Sequence, residues 1–232
     1  MKWETNAVYK WAGTVSNRAA KEEVARRIAG NVEDGQVIGV GSGSTALVAI
    51  DFIGARIREE KLRISAVCTS VEATLACNAV GIPVTTMLQS RPAWYFDGAD
   101  EIDSGRNMIK GRGGALFFEK LVMCAAPKTF ILVDQSKLVS KLGEKFPVPV
   151  EVAPMALHLA ERDLATLGAT EMALRPAGGK DGPVISESGN LILDVRFREI
   201  GPGLEKEIKK ITGVIESGLF QGYPVEPLIA GS

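Results

Sequence analysis

Histidine is almost missing from this 232-residue chain, with His158 its single example. That excludes a multi-histidine metal centre and makes histidine a poor choice for acid-base work. Cysteine is scarce as well: Cys68, Cys77 and Cys124 sit in apolar segments without metal-like spacing, as expected of buried thiols in a reducing compartment. Neither sign of charge dominates, since 27 lysines and arginines face 28 acidic residues for a formal charge of -1. A chain so balanced has no general attraction for nucleic acid or an anionic membrane, and a charged ligand must be held locally. No apolar run reaches the length of a membrane span, and the opening "MKWETNAVYKWAGTVSN" lacks the continuous apolar core of a signal peptide. A soluble cytoplasmic protein is expected, with no membrane or nucleic-acid partner. Any proton transfer it performs falls to carboxylates and lysines.

The length allows one large domain, or a large one with a small companion. "RAAKEEVARRIAG" reads as an amphipathic helix, with Ser16 as N-cap, Ala20, Val24 and Ile28 four apart, and Gly30 as a C′ glycine. "QVIGVGSG" then "STALVAIDFIGARIREE" is strand, tight loop and helix. The pattern recurs in "LRISAVCTS" with "VEATLACNAVG", in "IPVTTML", in "AWYFDGADEID" with "GGALFFEKLVMCAA", and in "KTFILVDQS". Nearly all-apolar strands alternating with helices are what a parallel sheet covered on both faces requires. The spacing therefore predicts a doubly wound α/β domain with a mostly parallel, Rossmann-like sheet over residues 1–146 and 214–232. Between them, residues 147–213 change texture. Two strands and two helices around a turn at Gly189-Asn190 predict a small inserted α+β unit of the split βαβ, ferredoxin-like kind.

Three stretches can carry chemistry. "GVGSGSTA" places glycines between a strand and a helix, where backbone amides and the helix N-terminus favour an anion, and it adds the hydroxyls of Ser42, Ser44 and Thr45. It is neither the G-x-G-x-x-G fingerprint nor a P-loop, so it reads equally as a monophosphate site or as a tight turn. "DGADEID" sets Asp97 and Asp100 about Gly98-Ala99 at the C-terminal end of a strand, the rim where open α/β sheets bind ligands. An acidic turn with a helix cap, or a hard-cation site, would look the same. "KGRGGALFFEK" joins Lys110, a second oxyanion-sized glycine loop, and a helix whose Glu119 is flanked by Phe117, Phe118 and Leu121. Such a glutamate either faces solvent or is desolvated, and desolvation makes it a stronger base.

These three motifs, in this order, resemble ribose-5-phosphate isomerase of the A type. Further likenesses are "FILVDQSK", "FPVPVEVAP", "GNLILDVRF" and "GVIESGLF", so the resemblance runs along nearly the whole chain. It implies interconversion of D-ribose 5-phosphate and D-ribulose 5-phosphate, a step of the non-oxidative pentose phosphate pathway, without metal or other cofactor. It implies Glu119 as the base. It further implies a sugar-phosphate site lined by Ser42, Gly43, Ser44 and Thr45, by Asp97, Gly98, Ala99 and Asp100, by Lys110, Gly111, Arg112 and Gly113, and by Lys137. Lys21 corresponds to another lysine near the ligand in that family, although a solvated helix lysine is the plain alternative. A homodimer or homotetramer is the expected assembly, with the small domain as a place for subunit contacts.

That chemistry suits the residues. Moving a proton between C2 and C1 needs one base, and the enediolate oxygen needs a positive partner. Glu119 and Lys110 fill those roles, while Asp97 and Asp100 orient hydroxyls, move protons between O1 and O2 and assist ring opening. Two neighbouring aspartates are expected to push one pKa upward. The chain departs from the family pattern at Arg112, where glycine is common and where a solvated side chain is expected, and at Ser42, where threonine is usual. Its N-terminus is also about a helix longer. A sugar-phosphate sensor on the same fold is the competing class, but it would lack the base and need a DNA-binding element, and no helix-turn-helix is evident.

Overall fold

A computed structural model describes residues 15–231. The expected N-terminal extension lies outside the described residues. α1 (Arg18–Ala29), α2 (Gly43–Glu60) and α3 (Val71–Val80) alternate with β1 (Val37–Val40), β2 (Ser65–Cys68) and β3 (Val84–Thr85). β4 (Trp94–Asp97), the short β5 (Glu101–Ile102) and β6 (Met108–Ile109), α4 (Leu116–Ala125) and β7 (Thr129–Val133) complete the first stretch. There follow β8 (Val148–Val152), α5 (Leu157–Thr166), β9 (Ala169–Leu174), β10 (Leu191–Phe197), α6 (Leu204–Lys209) and β11 (Val214–Ser217). The chain closes with β12 (Leu219–Phe220) and β13 (Glu226–Ile229).

The main sheet has the order β13-β7-β4-β1-β2-β3, and every neighbouring pair is parallel. Both of its faces are covered, as the apolar strands require. Ile38, Val40, Ala66, Phe96, Phe130 and Leu132 pack under α1, α2 and α3. Their alternates Val67, Tyr95, Ile131 and Val133 pack on the opposite side with Val122 and Met123 of α4. This alternation aims Asp97, two residues after Tyr95, at the α4 side.

The small unit is an antiparallel sheet, order β11-β8-β10-β9, built in the chain order βαββαβ. That is the split βαβ arrangement. Val148, Val150, Val152, Leu193 and Val195 bury against Ala160, Leu164 and Ile208 of its two helices. A third, three-stranded sheet, β12-β6-β5, joins the two units.

Several local expectations change. By sheet membership the insertion extends through β11 to Ser217, past the boundary expected at 213, because β11 pairs with β8. "AWYFDGADEID" is not one strand: β4 stops at Asp97, and Glu101 belongs to β5 in the joining sheet. The residue preceding α1 is Asn17 rather than Ser16, and its amide donates to Asp134 Oδ2 at 3.2 Å instead of capping the helix. Gly30 has a φ of -61°, so no left-handed cap forms there. Only Cys77 is fully buried; Cys124 is exposed and Cys68 half-buried, its thiol touching that of Cys77.

Lys120 is buried between the two units. Its ammonium meets Glu205 at 2.6 Å, Glu216 at 3.0 Å and the carbonyls of Ser217 and Leu219 at 3.0 and 2.7 Å. Removing one partner of a buried ion pair strands the other charges. Lys120→Ala is expected to lower stability by about 3–5 kcal/mol, read from the urea midpoint. The triple variant K120M/E205Q/E216Q, with no buried charge left unpaired, is expected to recover most of that loss.

Candidate active site

The main sheet reverses its winding between β1 and β4: the chain builds outward to β2 and β3 on one side and to β7 and β13 on the other. The chain leaving β1 goes on to α2 on one face of the sheet and the chain leaving β4 leads to α4 on the other, which places a crevice at the C-terminal ends of the two strands. The loop after β1 approaches the one after β4 very closely. A Cβ on Gly41 would lie 2.1 Å from Asp97 Cγ, so only glycine fits. Gly43, at φ +80°, turns the chain into α2 in a conformation that side chains resist.

Asp97 is 1% exposed and bonded on all sides. Its Oδ1 accepts from the amides of Ser42 at 3.1 Å and Gly98 at 2.7 Å, and its Oδ2 from Tyr95 Oη at 2.5 Å and Lys110 Nζ at 2.7 Å. Lys110 also donates to the Gly98 carbonyl at 2.5 Å. Its ammonium lies 3.2 Å from Glu119 Oε2. That approach is not aligned as a hydrogen bond, so Glu119 Oε2 is a buried carboxylate oxygen without a hydrogen-bond partner among the described residues. An ammonium has three donors; among the described residues two are engaged, which leaves one for another oxygen.

Burial pushes the Glu119 carboxyl up to about 8, and the negative charge of Asp97 adds to this while Lys110 opposes it. For Lys110, burial works against the charged form, but Asp97 and Glu119 outweigh it and hold the ammonium above its usual range. Asp100, half-buried on the rim, is also raised, and burial is the largest cause, opposed by Lys110. The expected coupling between two aspartates is thus replaced by one between Asp97 and Glu119.

The other end of the crevice is cationic. Lys21, expected as a solvated side chain if not near the ligand, is buried and donates to Ser44 Oγ at 2.9 Å. Burial lowers its pKa, helped by the nearby positive charge of Lys137 and opposed by Asp134. Lys137 follows β7 on a short 3-10 turn. Ser44 and Thr45 open α2, so its first amides face the same region. Ser42 Oγ is 2.7 Å from Thr69 Oγ1, which ties the loops after β1 and β2 together.

The Lys110 loop is held from the small unit. Arg175, paired with Asp194, donates to the carbonyls of Gly111 and Arg112, both at 2.9 Å. Gly113 is exposed at the loop's tip. The Arg112 amide donates to Asp100 Oδ2 at 3.2 Å. Its side chain is exposed, as expected, with the guanidinium 5.3 Å from the Phe146 ring centroid. A cavity of about 330 Å³ opens here, lined by Asp100, Arg112, Phe146, Pro149, Arg175 and Asp194. A larger one of about 520 Å³ lies around Lys120 and Cys124, and none of the expected site residues lines it. Among the described residues no group of three or more histidine, cysteine or carboxylate side chains is arranged to hold a metal ion.

Gathered about the crevice, then, are Ser42 to Thr45, Asp97 to Asp100, Lys110, Glu119, Lys21 and Lys137. Sequence reasoning missed Tyr95, Thr69 and the Arg175 clamp. Tyr95 had a signal, because a tyrosine two residues before an aspartate on a strand shares its face. Thr69 and Arg175 had none, being brought in from separate strands.

The family model for ribose 5-phosphate isomerase A (phosphoriboisomerase A) matches residues 65–232. The ribose-5-phosphate isomerase A of Thermosynechococcus vestitus is 46% identical over 204 residues, 86% of each chain. The structure of ribose 5-phosphate isomerase A from Methanocaldococcus jannaschii superposes with a TM-score of 0.89 at 43% identity, covering 94% of this chain and 96% of that one. A D-ribose-5-phosphate isomerase solved in complex with phospho-erythronic acid is 36% identical, with a TM-score of 0.87 over 92% and 94% of the two chains. On a likeness that extends over almost the whole length and both units of the fold, the chain belongs to the ribose 5-phosphate isomerase A family.

Proposed function

We propose that this enzyme interconverts D-ribose 5-phosphate and D-ribulose 5-phosphate through an enediolate, with Glu119 as the base. The observation that carries this reading is the buried Glu119 Oε2, without a hydrogen-bond partner among the described residues, beside a lysine that spends two of its three donors on them. Family membership and a relative bound to phospho-erythronic acid support the substrate class.

In this reading the open-chain sugar lies along the crevice with its phosphate at Lys21, Ser44 and Lys137 and the amides opening α2. C1 and C2 lie against Glu119. The carboxylate takes the C2 proton and returns it to C1. The charge that builds on the sugar oxygens meets the remaining N–H of Lys110, positioned in advance and shielded from water. Asp100, whose pKa is raised chiefly by burial, relays a proton between O1 and O2. Asp97 has no acceptor site left for a hydroxyl; it is the fixed anion that holds Lys110. We further assign the enzyme to the cytoplasm as a homodimer or homotetramer. Sedimentation equilibrium is expected to return two or four times the chain mass, and a monomer mass would remove that assignment.

Glu119→Gln keeps the shape and removes the base. Turnover should fall by roughly a hundred- to ten-thousand-fold, while ribose 5-phosphate binding by calorimetry survives; near-normal turnover would refute the role of Glu119. In wild type the base must be deprotonated, so kcat/KM is expected to fall with a one-proton slope as pH drops below about 8. A chelator should leave these rates unchanged.

Lys137→Ala removes a phosphate contact that binds ground and transition states alike. KM is expected to rise by roughly ten- to a hundred-fold with kcat almost constant. An unchanged KM in steady-state assays would move the phosphate away from this end.

A further inference from the structure

Tyr95 belongs to none of the three motifs' expected site residues, yet it is built into the centre of the charged cluster. Its side chain is fully buried on β4, and its hydroxyl donates to Asp97 Oδ2 at 2.5 Å, the same oxygen that Lys110 Nζ reaches at 2.7 Å. The ring cannot swing away. A Cβ on Gly39 of β1 would lie 2.9 Å from Tyr95 Cδ2 and 2.8 Å from Val122 Cγ1, so strand, ring and α4 are in close contact. The phenol does not ionise near neutrality, because burial, followed by the charges of Asp97 and Glu119, raises its pKa well above the ordinary value. Tyr95 is therefore a permanent donor.

We propose that Tyr95 is a positioning residue: its O–H holds the Asp97 carboxylate in the one orientation that directs the free N–H of Lys110 to the substrate, and it withdraws part of the Asp97 charge from Glu119. The proposal rests on the reading of Glu119 as base. A carboxylate with two oxygens and four donors has no freedom to rotate. Without the phenol, Oδ2 retains only Lys110, and the ammonium is held on a looser anchor. The groups facing Glu119 are Asp97 and Tyr95 from β4, Asp100 from the loop after β4, and Lys110 from the segment after β6. Loss of the O–H strengthens the field of Asp97 at Glu119 and raises the proton affinity of the base.

Tyr95→Phe keeps the ring and deletes only the donor. Its kcat is expected to fall roughly ten-fold or more, as for a hydrogen bond to a charged group, with KM little changed. The acid limb of its kcat–pH profile is expected to move to higher pH, which a purely structural role would not produce. Tyrosine analogues carrying ring fluorines, introduced at residue 95, keep the donor and strengthen it; they should retain kcat and move the acid limb to lower pH. Glu119→Gln is measured alongside. If E119Q stays active, the base assignment fails; if E119Q is inactive while Y95F has wild-type kcat and acid limb, only the role of Tyr95 fails. Should Y95F not fold by near-ultraviolet dichroism, the fluorinated series decides, and an acid limb that ignores fluorination overturns the proposal.

Discussion

One ammonium lies between two carboxylates, all of them shielded from water, and the rest of the crevice is arranged around that fact. Lys110, Asp97 and Glu119 are each less than 5% exposed. Buried charges persist only when paired and hydrogen-bonded. With one cation for two anions the cluster cannot be neutral with all three groups charged, and the shortfall falls on the least well bonded member. Among the described residues Asp97 has four donors and Glu119 Oε2 has none. Burial raises the proton affinity of Glu119, and the neighbouring charge of Asp97 adds to it against the opposing Lys110.

The backbone has to serve this arrangement. Two of the donors to Asp97 are amides of the loops after β1 and β4, which fixes how closely those loops approach and explains the glycine at residue 41. Helix α4 presents Glu119 to the crevice, while the next residue, Lys120, is sunk among Glu205, Glu216 and two carbonyls. The helix that carries the proposed base is thereby locked in rotation. Arg175 grips the Lys110 loop by two carbonyls. The small unit is accordingly a buttress for the crevice. Glu101 does similar work, its carboxylate accepting from the amides of Gly143, Lys145 and Phe146 where the chain passes from one unit to the other.

The alternating rhythm of apolar strands and helices was legible directly, because an all-parallel sheet must bury both faces and leaves that pattern in the chain. The split βαβ insertion was legible too, but its end was not. "GVIESGLF" is as apolar as the main strands, and only hydrogen bonding shows that its first half pairs with β8 and its second half with β6. Lys21 reads in sequence like any helix lysine; its burial against Ser44 depends on how α1 packs on α2.

By itself the sequence determined the order of elements, the glycine loops at the strand ends, and which residue types were at hand for proton transfer in a chain with a single histidine. Those are local properties, set by periodicity and by the few residues that tolerate a tight turn. Tertiary structure alone decided which carboxylate is saturated and which is left wanting, that Tyr95 and not Asp100 shares the charge of Asp97, and that two lysines distant in sequence converge at the opening of α2. Proton affinity depends on burial and on charges a few ångströms away, and neither distance nor burial is written in the order of residues along a chain.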